Sequence, residues 1–176
     1  KEVSISDADG DGMVEAGEFV EFGVIIRVTN ATSSDWKKAQ VRDRFGTELD
    51  VSIVSGVDPN PTNGTASVSS DSSGRESINW RLGAVVVGSE ATLDLSAETV
   101  ASPGVQQFAT CGLHKINAGA SITFTTSSGT SGSANTGIVT IPVLTSGGDG
   151  DCDGDGASDN AELDAGTNPF DADDTP

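Results

Sequence analysis

The alternation of apolar and polar positions along the chain predicts many short strands and no helix. The clearest segment is 20–28, in which every second residue is apolar, from Val20 to Val28. Successive side chains of a strand point to opposite faces, so one face of this segment is expected to be buried. The other predicted strands are 1–6, 40–45, 50–54, 77–82, 91–97, 107–111, 120–126 and 137–143.

The residues between these segments are typical of turns. Residues 58–64 are rich in Asp, Pro, Asn and Gly, and residues 127–135 are nearly all Ser, Gly and Thr. Strands at this spacing with glycine-rich punctuation indicate an all-β fold, an antiparallel β-sandwich. The chain has 176 residues, enough for one core and a small appendage.

The charge of the chain is concentrated in two segments. The net charge is −18, which argues against nucleic acid as a partner. Residues 1–21 carry seven carboxylates and one Lys, and residues 149–174 carry ten carboxylates and no base. The body between them is nearly neutral, with ten acids and eight bases. Clusters of one sign need a cation or stay disordered, so we expect bound ions near both chain ends.

The first acidic segment, 7–18, fits the twelve-residue calcium loop at its diagnostic positions. Ca²⁺ takes about six to eight oxygen ligands, and a loop around one ion turns alternate side chains inward. Gly12 supplies the sharp turn, and Val14 is the apolar plug. A strand follows instead of a helix, so we expect a structural clamp and not an EF-hand sensor. The predicted ligands, with a main-chain carbonyl for the fourth, are Asp7, Asp9, Asp11, Met13 and Glu18.

The second acidic segment repeats this register at 151–162. Its predicted ligands, with a main-chain carbonyl for the fourth, are Asp151, Asp153, Asp155, Ala157, Asp159 and Glu162. It continues through Gly-Thr-Asn-Pro at 166–169 into further aspartates. Residues 149–174 resemble the thrombospondin type 3 calcium repeats of secreted and surface proteins. This resemblance implies a further ion at Asn168, Asp171 and Asp173.

The body resembles the DUF11-like repeat domains of bacterial and archaeal surface proteins over about 7–143. The resemblance is carried by the calcium loop, the strand ending at Asn30, WRLGA at 80–84 and VGSEATL at 87–93. It implies an immunoglobulin-like sandwich with a stalk, adhesive or filament role. A departure is Asn-Ala-Thr at 30–32, where that family has Asn-Thr-Gly.

Two covalent features follow from the residues. Cys111 and Cys152 are the two cysteines, and an even count in a chain of extracellular character favours a disulfide. The alternative is a pair of unrelated thiols. Asn30 and Asn63 begin Asn-x-Thr sequons in predicted surface turns, where a glycan could be attached.

Catalysis finds little support in the sequence. His114 is the single histidine, and we expect it to be a packing or surface residue. The chain has no phosphate-binding glycine loop and no nucleophile elbow. It also has no apolar stretch long enough to span a membrane. Trp80 lies in an alternating strand and is expected in the core, whereas Trp36 is the candidate for an exposed contact.

These patterns predict a non-enzymatic structural subunit of an extracellular, calcium-stabilised filament or surface layer on the cell surface. We expect an N-terminal strand and calcium loop at 1–19, a sandwich at 20–145 and a calcium-binding tail at 146–176. Calcium loops would then lie at both ends of an immunoglobulin-like sandwich. No leader sequence precedes Lys1, so we interpret the chain as a mature form or a module of a longer chain.

Two questions stay open at this stage. The strand around Val3 and Ile5 could pair within its own sandwich, or it could insert into a neighbouring copy and so build a pilus-like homopolymer. The alternative function is an adhesin or a carbohydrate- or receptor-binding module of a larger surface protein, including a dockerin-like one. Glycans would then be the partners, bound through Trp36 or a calcium ion with open coordination.

Overall fold

The computed structural model describes residues 1–7, 13–46, 49–55, 64–72, 75–99, 108 and 110–176. The predicted fold class is confirmed: the chain forms an antiparallel, immunoglobulin-like β-sandwich with little helix. The strands are β1 (Glu2–Asp7), β2 (Val20–Thr29), β3 (Trp36–Arg44), β4 (Leu49–Ser55), β5 (Thr65–Ser70), β6 (Glu76–Val85), β7 (Glu90–Thr99), β8 (Gly112–Asn117), β9 (Ser121–Thr126), β10 (Ser131–Asn135) and β11 (Val139–Val143). A short 3₁₀ turn (Ser146–Gly148) and one helix, α1 (Asp159–Ala165), follow.

The strands form three antiparallel sheets. One has the order β1-β2-β7-β4, a second the order β10-β9-β3-β6-β5, and the third pairs β11 with β8. Buried side chains from the two larger sheets belong to one hydrophobic cluster, which is the core of the sandwich.

Strand β2 shows how the sequence pattern becomes the core. Every second residue from Val20 to Val28 is buried, as the period of two predicts, and the residues between them are exposed except for the half-buried Ile25. The buried residues lie in the same cluster as Val41 of β3 and Ile78 and Leu82 of β6. Trp80 is 0% exposed, so its predicted core position is confirmed.

The two edge strands of the five-stranded sheet were not predicted. β5 fell between the predicted strands, and β10 lies within the predicted turn 127–135. Both are made mostly of Ser, Ala and Thr or Asn, and most of their side chains are exposed. An edge strand packs little against the core, so it needs no apolar alternation to be stable.

Two other local predictions are corrected. The strand predicted at 107–111 is wrong at its end, because Cys111 precedes β8, which begins at Gly112. Helix α1 was not expected: it has seven residues, too few to show a helical period in the sequence.

Trp36 is not the exposed contact that the sequence suggested. It is 4% exposed, and its ring stacks on Phe124 at a centroid distance of 4.1 Å. Its indole nitrogen donates to Thr32 Oγ1 at 3.1 Å. The neighbouring Asp and Lys residues made it look like a surface residue, but it occupies an inward position of β3.

The expectation that Asn30 lies in an accessible turn is also wrong. Asn30 is 0% exposed, and its amide nitrogen donates to the carbonyls of Ser34 and Val85. Its Oδ1 accepts from the main chain and side chain of Thr32. The amide organises the turn after β2 and offers no free nitrogen to a glycan in the folded chain. Asn63 lies outside the described residues.

Strand β1 pairs within its own chain. It runs antiparallel to β2, from Glu2 opposite Ile25 to Asp7 opposite Val20, at the edge of the four-stranded sheet. Of the two alternatives left open by the sequence, this is the intramolecular one. Among the described residues no helix is long and apolar enough to cross a membrane.

Candidate metal centre

Segments from the two ends of the chain meet beside the sandwich. The Leu144 N–H donates to the Val14 carbonyl at 2.8 Å, and the Ala16 N–H donates to the Leu144 carbonyl at 3.0 Å. The Gly147 N–H donates to the Glu15 carboxylate at 3.1 Å. The residues that close the first acidic loop therefore lie beside those that lead into the second.

Only part of the first loop is described. Asp9, Asp11 and their neighbours at 8–12 lie outside the described residues, as does the side chain of Asp7. Val14 is 3% exposed, which fits its predicted role as an apolar plug. Met13 is 37% exposed, and a Glu18 carboxylate oxygen accepts from the Glu15 N–H at 3.2 Å. The calcium site at 7–18 stays a prediction.

The second loop is described in full. Its aspartate side chains accept hydrogen bonds from main-chain N–H groups of the same loop. Asp151 accepts from the main-chain N–H of Gly154 at 2.6 Å and of Gly156 at 2.8 Å. These glycines have φ of 83° and 105°, which residues with a Cβ rarely adopt. Asp153 accepts from the Asp155 N–H at 3.2 Å. The loop therefore presents successive carboxylates towards one centre.

The carboxylates at this centre have oxygens that no hydrogen bond satisfies. Ligand atoms of Asp151, Asp153 and Asp155 all lie within 4.8 Å of one another. Asp153 Oδ2, Asp155 Oδ2 and both oxygens of Glu162 are buried without a hydrogen-bond partner. A buried, unpaired carboxylate oxygen is strongly unfavourable, and hard oxygen donors of this kind are what Ca²⁺ prefers. The residues present therefore fit a calcium ion.

The electrostatics of the loop agree with this assignment. Burial raises the pKa of Glu162, and the charges of Asp153, Asp155, Asp159 and Asp151 raise it further. The pKa of Asp151 is lowered, mainly because the Gly156 N–H stabilises its charged form. Main-chain donors thus favour the charged form of Asp151, whereas burial and the neighbouring carboxylates disfavour the charged form of Glu162.

Helix α1 fixes Glu162 in place, although it has only two turns. Ser158 caps its N-terminus and accepts from the Ala161 N–H at 3.3 Å. Gly166 ends it in the left-handed conformation, with φ of 80°. The Thr167 N–H then bonds the Glu162 carbonyl at 2.9 Å. Both ends of the helix are satisfied, so Glu162 sits on a rigid element.

Asp159, which the loop register assigned to the ion, accepts hydrogen bonds from two main-chain N–H groups and one hydroxyl. Its Oδ2 accepts from the N–H and the hydroxyl of Thr145, each at 2.7 Å, and its Oδ1 accepts from the Cys152 N–H at 2.9 Å. Asp159 is 0% exposed. It ties the helix to the segment that leaves the sandwich. Thr145 and Asp159 are fourteen residues apart, so no local sequence pattern signals this contact.

A disulfide adds a second attachment, as predicted. Cys111, just before β8, is bonded to Cys152 of the second acidic loop, with a Cα–Cα distance of 5.8 Å. Asn160 Nδ2 also donates to the Gly147 carbonyl at 3.1 Å. The acidic tail is therefore fastened to the sandwich on more than one side.

The further ion at the end of the tail stays a prediction. Asn168 Oδ1 accepts from the Phe170 N–H at 3.2 Å, and Asp171 Oδ1 accepts from the Asp173 N–H at 3.3 Å. All three predicted ligands are exposed. Ala157, predicted to offer its carbonyl at the first ion, donates its N–H to Asp155 Oδ1 at 2.7 Å.

Comparison with solved structures finds similar chains at low sequence identity. The full-length major pilin SpaD from Corynebacterium diphtheriae is 12% identical with a TM-score of 0.46; the match covers 80% of this chain and 34% of that one. BcpA, the major pilin subunit of Bacillus cereus, is 15% identical with a TM-score of 0.43, over 82% of this chain and 41% of that one. The type V pili tip protein Mfa5 from Porphyromonas gingivalis is 19% identical with a TM-score of 0.40, over 61% and 21%.

This chain thus spans less than half the length of those structures. No curated protein matches it in sequence. Residues 151–172 match the family described as the bacterial TSP3 repeat, a calcium-binding type of repeat. The match confirms the thrombospondin type 3 resemblance for the tail; the DUF11 resemblance of the body and the first calcium loop are left as predictions.

Proposed function

We propose that this chain is a calcium-stabilised structural module of an extracellular, cell-surface assembly. The observation that carries the proposal is the set of buried carboxylate oxygens without partners on Asp153, Asp155 and Glu162. They lie in a segment that matches a calcium-binding repeat and is joined to the sandwich by a disulfide. Disulfides persist in oxidising surroundings, which supports a location outside the cell.

The ion at this centre has a structural task. Glu162 is 0% exposed, and Asp153 and Asp155 use their Oδ1 atoms to hold the loop backbone. A site closed in this way stabilises the folded tail, because the ion binds the folded state and not the unfolded one. The proposed units are the N-terminal strand and loop at 1–19, the sandwich at 20–145 and the tail at 146–176.

The larger assembly is a filament or surface layer made of copies of this chain. Two clusters of negative charge near the ends of the sequence, on either side of a nearly neutral body, support this part of the proposal, because bound calcium would make both segments rigid. If the filament forms by donation of β1 to a neighbouring copy, β1 must first separate from β2 of its own chain, which costs the hydrogen bonds between the two strands. The alternative of a glycan-binding module is weakened, because Trp36, the aromatic residue expected to contact a glycan, is buried.

The test measures both the thermal stability of the protein and its state of assembly. Thermal unfolding and light scattering are measured in millimolar Ca²⁺ and after chelation, for the protein, for Glu162→Gln and for Asp164→Asn. Asp164 lies on the same helix and is exposed, so its variant is the matched control. We expect calcium to raise the unfolding midpoint of the protein and of the control, and to raise that of Glu162→Gln much less. Equal calcium responses in all three would refute the metal centre.

Light scattering tests the assembly separately. Large particles that shrink on chelation support a calcium-dependent polymer. A monomer in both conditions, together with a normal calcium response, would retain the metal centre and refute the filament. If polymers form, Val3→Asp tests donation of β1, and an unchanged polymer length would count against it.

A further inference from the structure

A buried cluster of three reactive side chains lies apart from the metal centre. The Lys1 ammonium contacts Asp43 Oδ2 at 2.8 Å, and the two side chains are 2% and 0% exposed. Asn117 Nδ2 donates to the other oxygen, Asp43 Oδ1, at 2.7 Å, and Asn117 is 1% exposed. An amine and a carboxamide thus share one carboxylate in a site shielded from water.

Three different sheets bring these side chains together. Lys1 precedes β1 in the four-stranded sheet, Asp43 lies in β3 of the five-stranded sheet, and Asn117 ends β8 of the two-stranded sheet. The Ala118 N–H donates to the Arg44 carbonyl at 2.9 Å, which holds the end of β8 against β3. The Lys1 nitrogen lies 5.1 Å from the centroid of the Phe45 ring. The site is therefore held from several directions.

The electrostatics prepare Lys1 to act as a nucleophile. Burial lowers the pKa of Lys1, although the charge of Asp43 and the hydrogen bond to it act in the opposite direction. An ion pair in such surroundings costs desolvation energy that its attraction barely offsets. Transfer of one proton from Lys1 to Asp43 removes both charges and leaves a neutral amine.

Asn117 is prepared to act as the electrophile. Its Oδ1 accepts from the Gly119 N–H at 2.6 Å, so a main-chain donor already polarises the side-chain carbonyl. The same donor would stabilise negative charge on that oxygen during an addition reaction. Its Nδ2 faces the carboxyl group that could protonate it as it leaves.

We propose that Lys1 and Asn117 form an intramolecular amide bond between their side chains, with Asp43 as the proton carrier. The Lys1 ammonium gives a proton to Asp43, and the free amine attacks Cγ of Asn117. Negative charge collects on Oδ1, opposite the Gly119 N–H. Asp43 then protonates Nδ2 and takes a proton from the former lysine nitrogen. The bond from Cγ to Nδ2 breaks, and one ammonia leaves.

The reaction is balanced without a cofactor or an oxidant. One N–H of the amine and one C–N bond of the carboxamide are exchanged for a new C–N bond and ammonia. Asn117 is the better acceptor than Asp43, because the Gly119 N–H polarises its side-chain carbonyl and because Asp43 is occupied in carrying the protons. A bond to Asp43 would release water instead, which gives the two alternatives different masses.

The bond would close a covalent ring from residue 1 to residue 117. That ring overlaps the one closed by the disulfide between Cys111 and Cys152. The first strand, the last strands of the sandwich and the calcium-binding tail would then be linked covalently. The inference stands on the cluster itself and does not depend on the proposed function.

Accurate mass of the intact protein, measured after reduction of the disulfide, is the first test. We expect a mass lower than that of the sequence by one ammonia, and a branched peptide after proteolysis that contains both Lys1 and Asn117. Lys1→Arg and Asn117→Ala should have the full sequence mass, and Asp43→Asn should lose ammonia far more slowly. Lys115→Arg, which removes an exposed amine two residues from Asn117, should still be short by one ammonia.

Three outcomes would overturn the proposal. The full sequence mass would mean that the cluster is only an ion pair with a hydrogen bond. Loss of water with a branched peptide joining Lys1 to Asp43 would assign the wrong acceptor. Loss of ammonia that persists in Lys1→Arg would indicate cyclisation of an asparagine on its own main chain. The mass of the unsubstituted protein is sufficient to decide between these outcomes, so the test does not depend on whether every variant folds.

Discussion

Glu162 and Asp159 lie one turn apart on α1, are both fully buried, and use their carboxylates differently. Glu162 has two oxygens without a hydrogen-bond partner, whereas Asp159 accepts three hydrogen bonds from Thr145 and Cys152. At the scale of the residue, the environment and not the residue type assigns the role. The oxygens of Glu162 are left for the proposed ion, whereas those of Asp159 already accept from main-chain and hydroxyl donors.

The raised pKa of Glu162 predicts how the calcium-free tail responds to pH. Because folding raises this pKa, the stability that Glu162 contributes is present at acid pH and is lost as pH rises through the raised value. Asp151 acts in the opposite direction: its lowered pKa gives stability that is lost only when pH falls through that lowered value. In chelator, the midpoint of tail unfolding should therefore fall as pH increases above about 4.3, the ordinary Glu pKa.

Thermal unfolding in chelator at several pH values checks this prediction. Glu162→Gln should largely remove the fall, whereas the exposed control Asp164→Asn should keep it. In excess Ca²⁺ the trend should reverse, because the ion binds only the deprotonated carboxylate. A midpoint that rises with pH in chelator would contradict the assignment of Glu162.

Trp36 supplies a second prediction at this scale. Its ring is buried against Phe124, so Trp36→Ala should lower the free energy of unfolding by about 3–5 kcal/mol. Denaturant unfolding measures the change. Val87→Ala, at a site 45% exposed, is the control and should cost far less. A loss near that of the control would mean that Trp36 is a surface residue after all.

At the scale of the element, α1 is held by contacts outside itself. A helix of seven residues is not stable alone, so its caps and its attachment through Asp159 decide whether it forms. The edge strands β5 and β10 are similar cases, because each is stabilised by main-chain pairing to one neighbour. None of these elements carries a strong pattern of its own.

Asp159→Asn should release the helix from the sandwich. The substitution removes a charged acceptor and places an amide where Asp159 faces three donors, which should cost roughly 2–4 kcal/mol. Limited proteolysis in Ca²⁺ should cut the variant between residues 145 and 160 much faster than the parent. Asn160→Ala loses one exposed hydrogen bond and serves as the milder control. Equal cleavage rates in Asp159→Asn and the parent would show that this attachment is dispensable.

At the scale of the whole molecule, the acidic segments from both chain ends meet beside a nearly neutral sandwich. Val14 and Ala16 pair with Leu144, and the disulfide joins the tail to the residue before β8. The disulfide, Asp159 and the proposed calcium ion therefore act on the same junction between the tail and the sandwich. Interactions that share a structural element are not additive.

This sharing predicts that disulfide and calcium compensate for each other. Replacing both Cys111 and Cys152 by Ser should lower the free energy of unfolding by about 3–4 kcal/mol, the value for a ring of this size. In Ca²⁺ the tail should stay protected from proteolysis in this variant, and in chelator it should be cleaved. Chelation of the parent, with its disulfide intact, should expose the tail less. Strictly additive effects would mean that calcium and the disulfide stabilise independent parts.

The sequence by itself determined the fold class, the buried faces of strands such as β2 and the resemblance of the tail to a calcium-binding repeat. Alternation such as that of β2 reflects burial of one strand face, and the Asp-Gly spacing of 151–162 reflects how a loop must wrap an ion, so both are local patterns. The disulfide followed from a cysteine count. The tertiary structure alone decided which distant residues meet: Thr145 with Asp159, Trp36 with Phe124, and Lys1 with Asp43 and Asn117. These contacts depend on how the sheets pack, and no spacing along the chain encodes them.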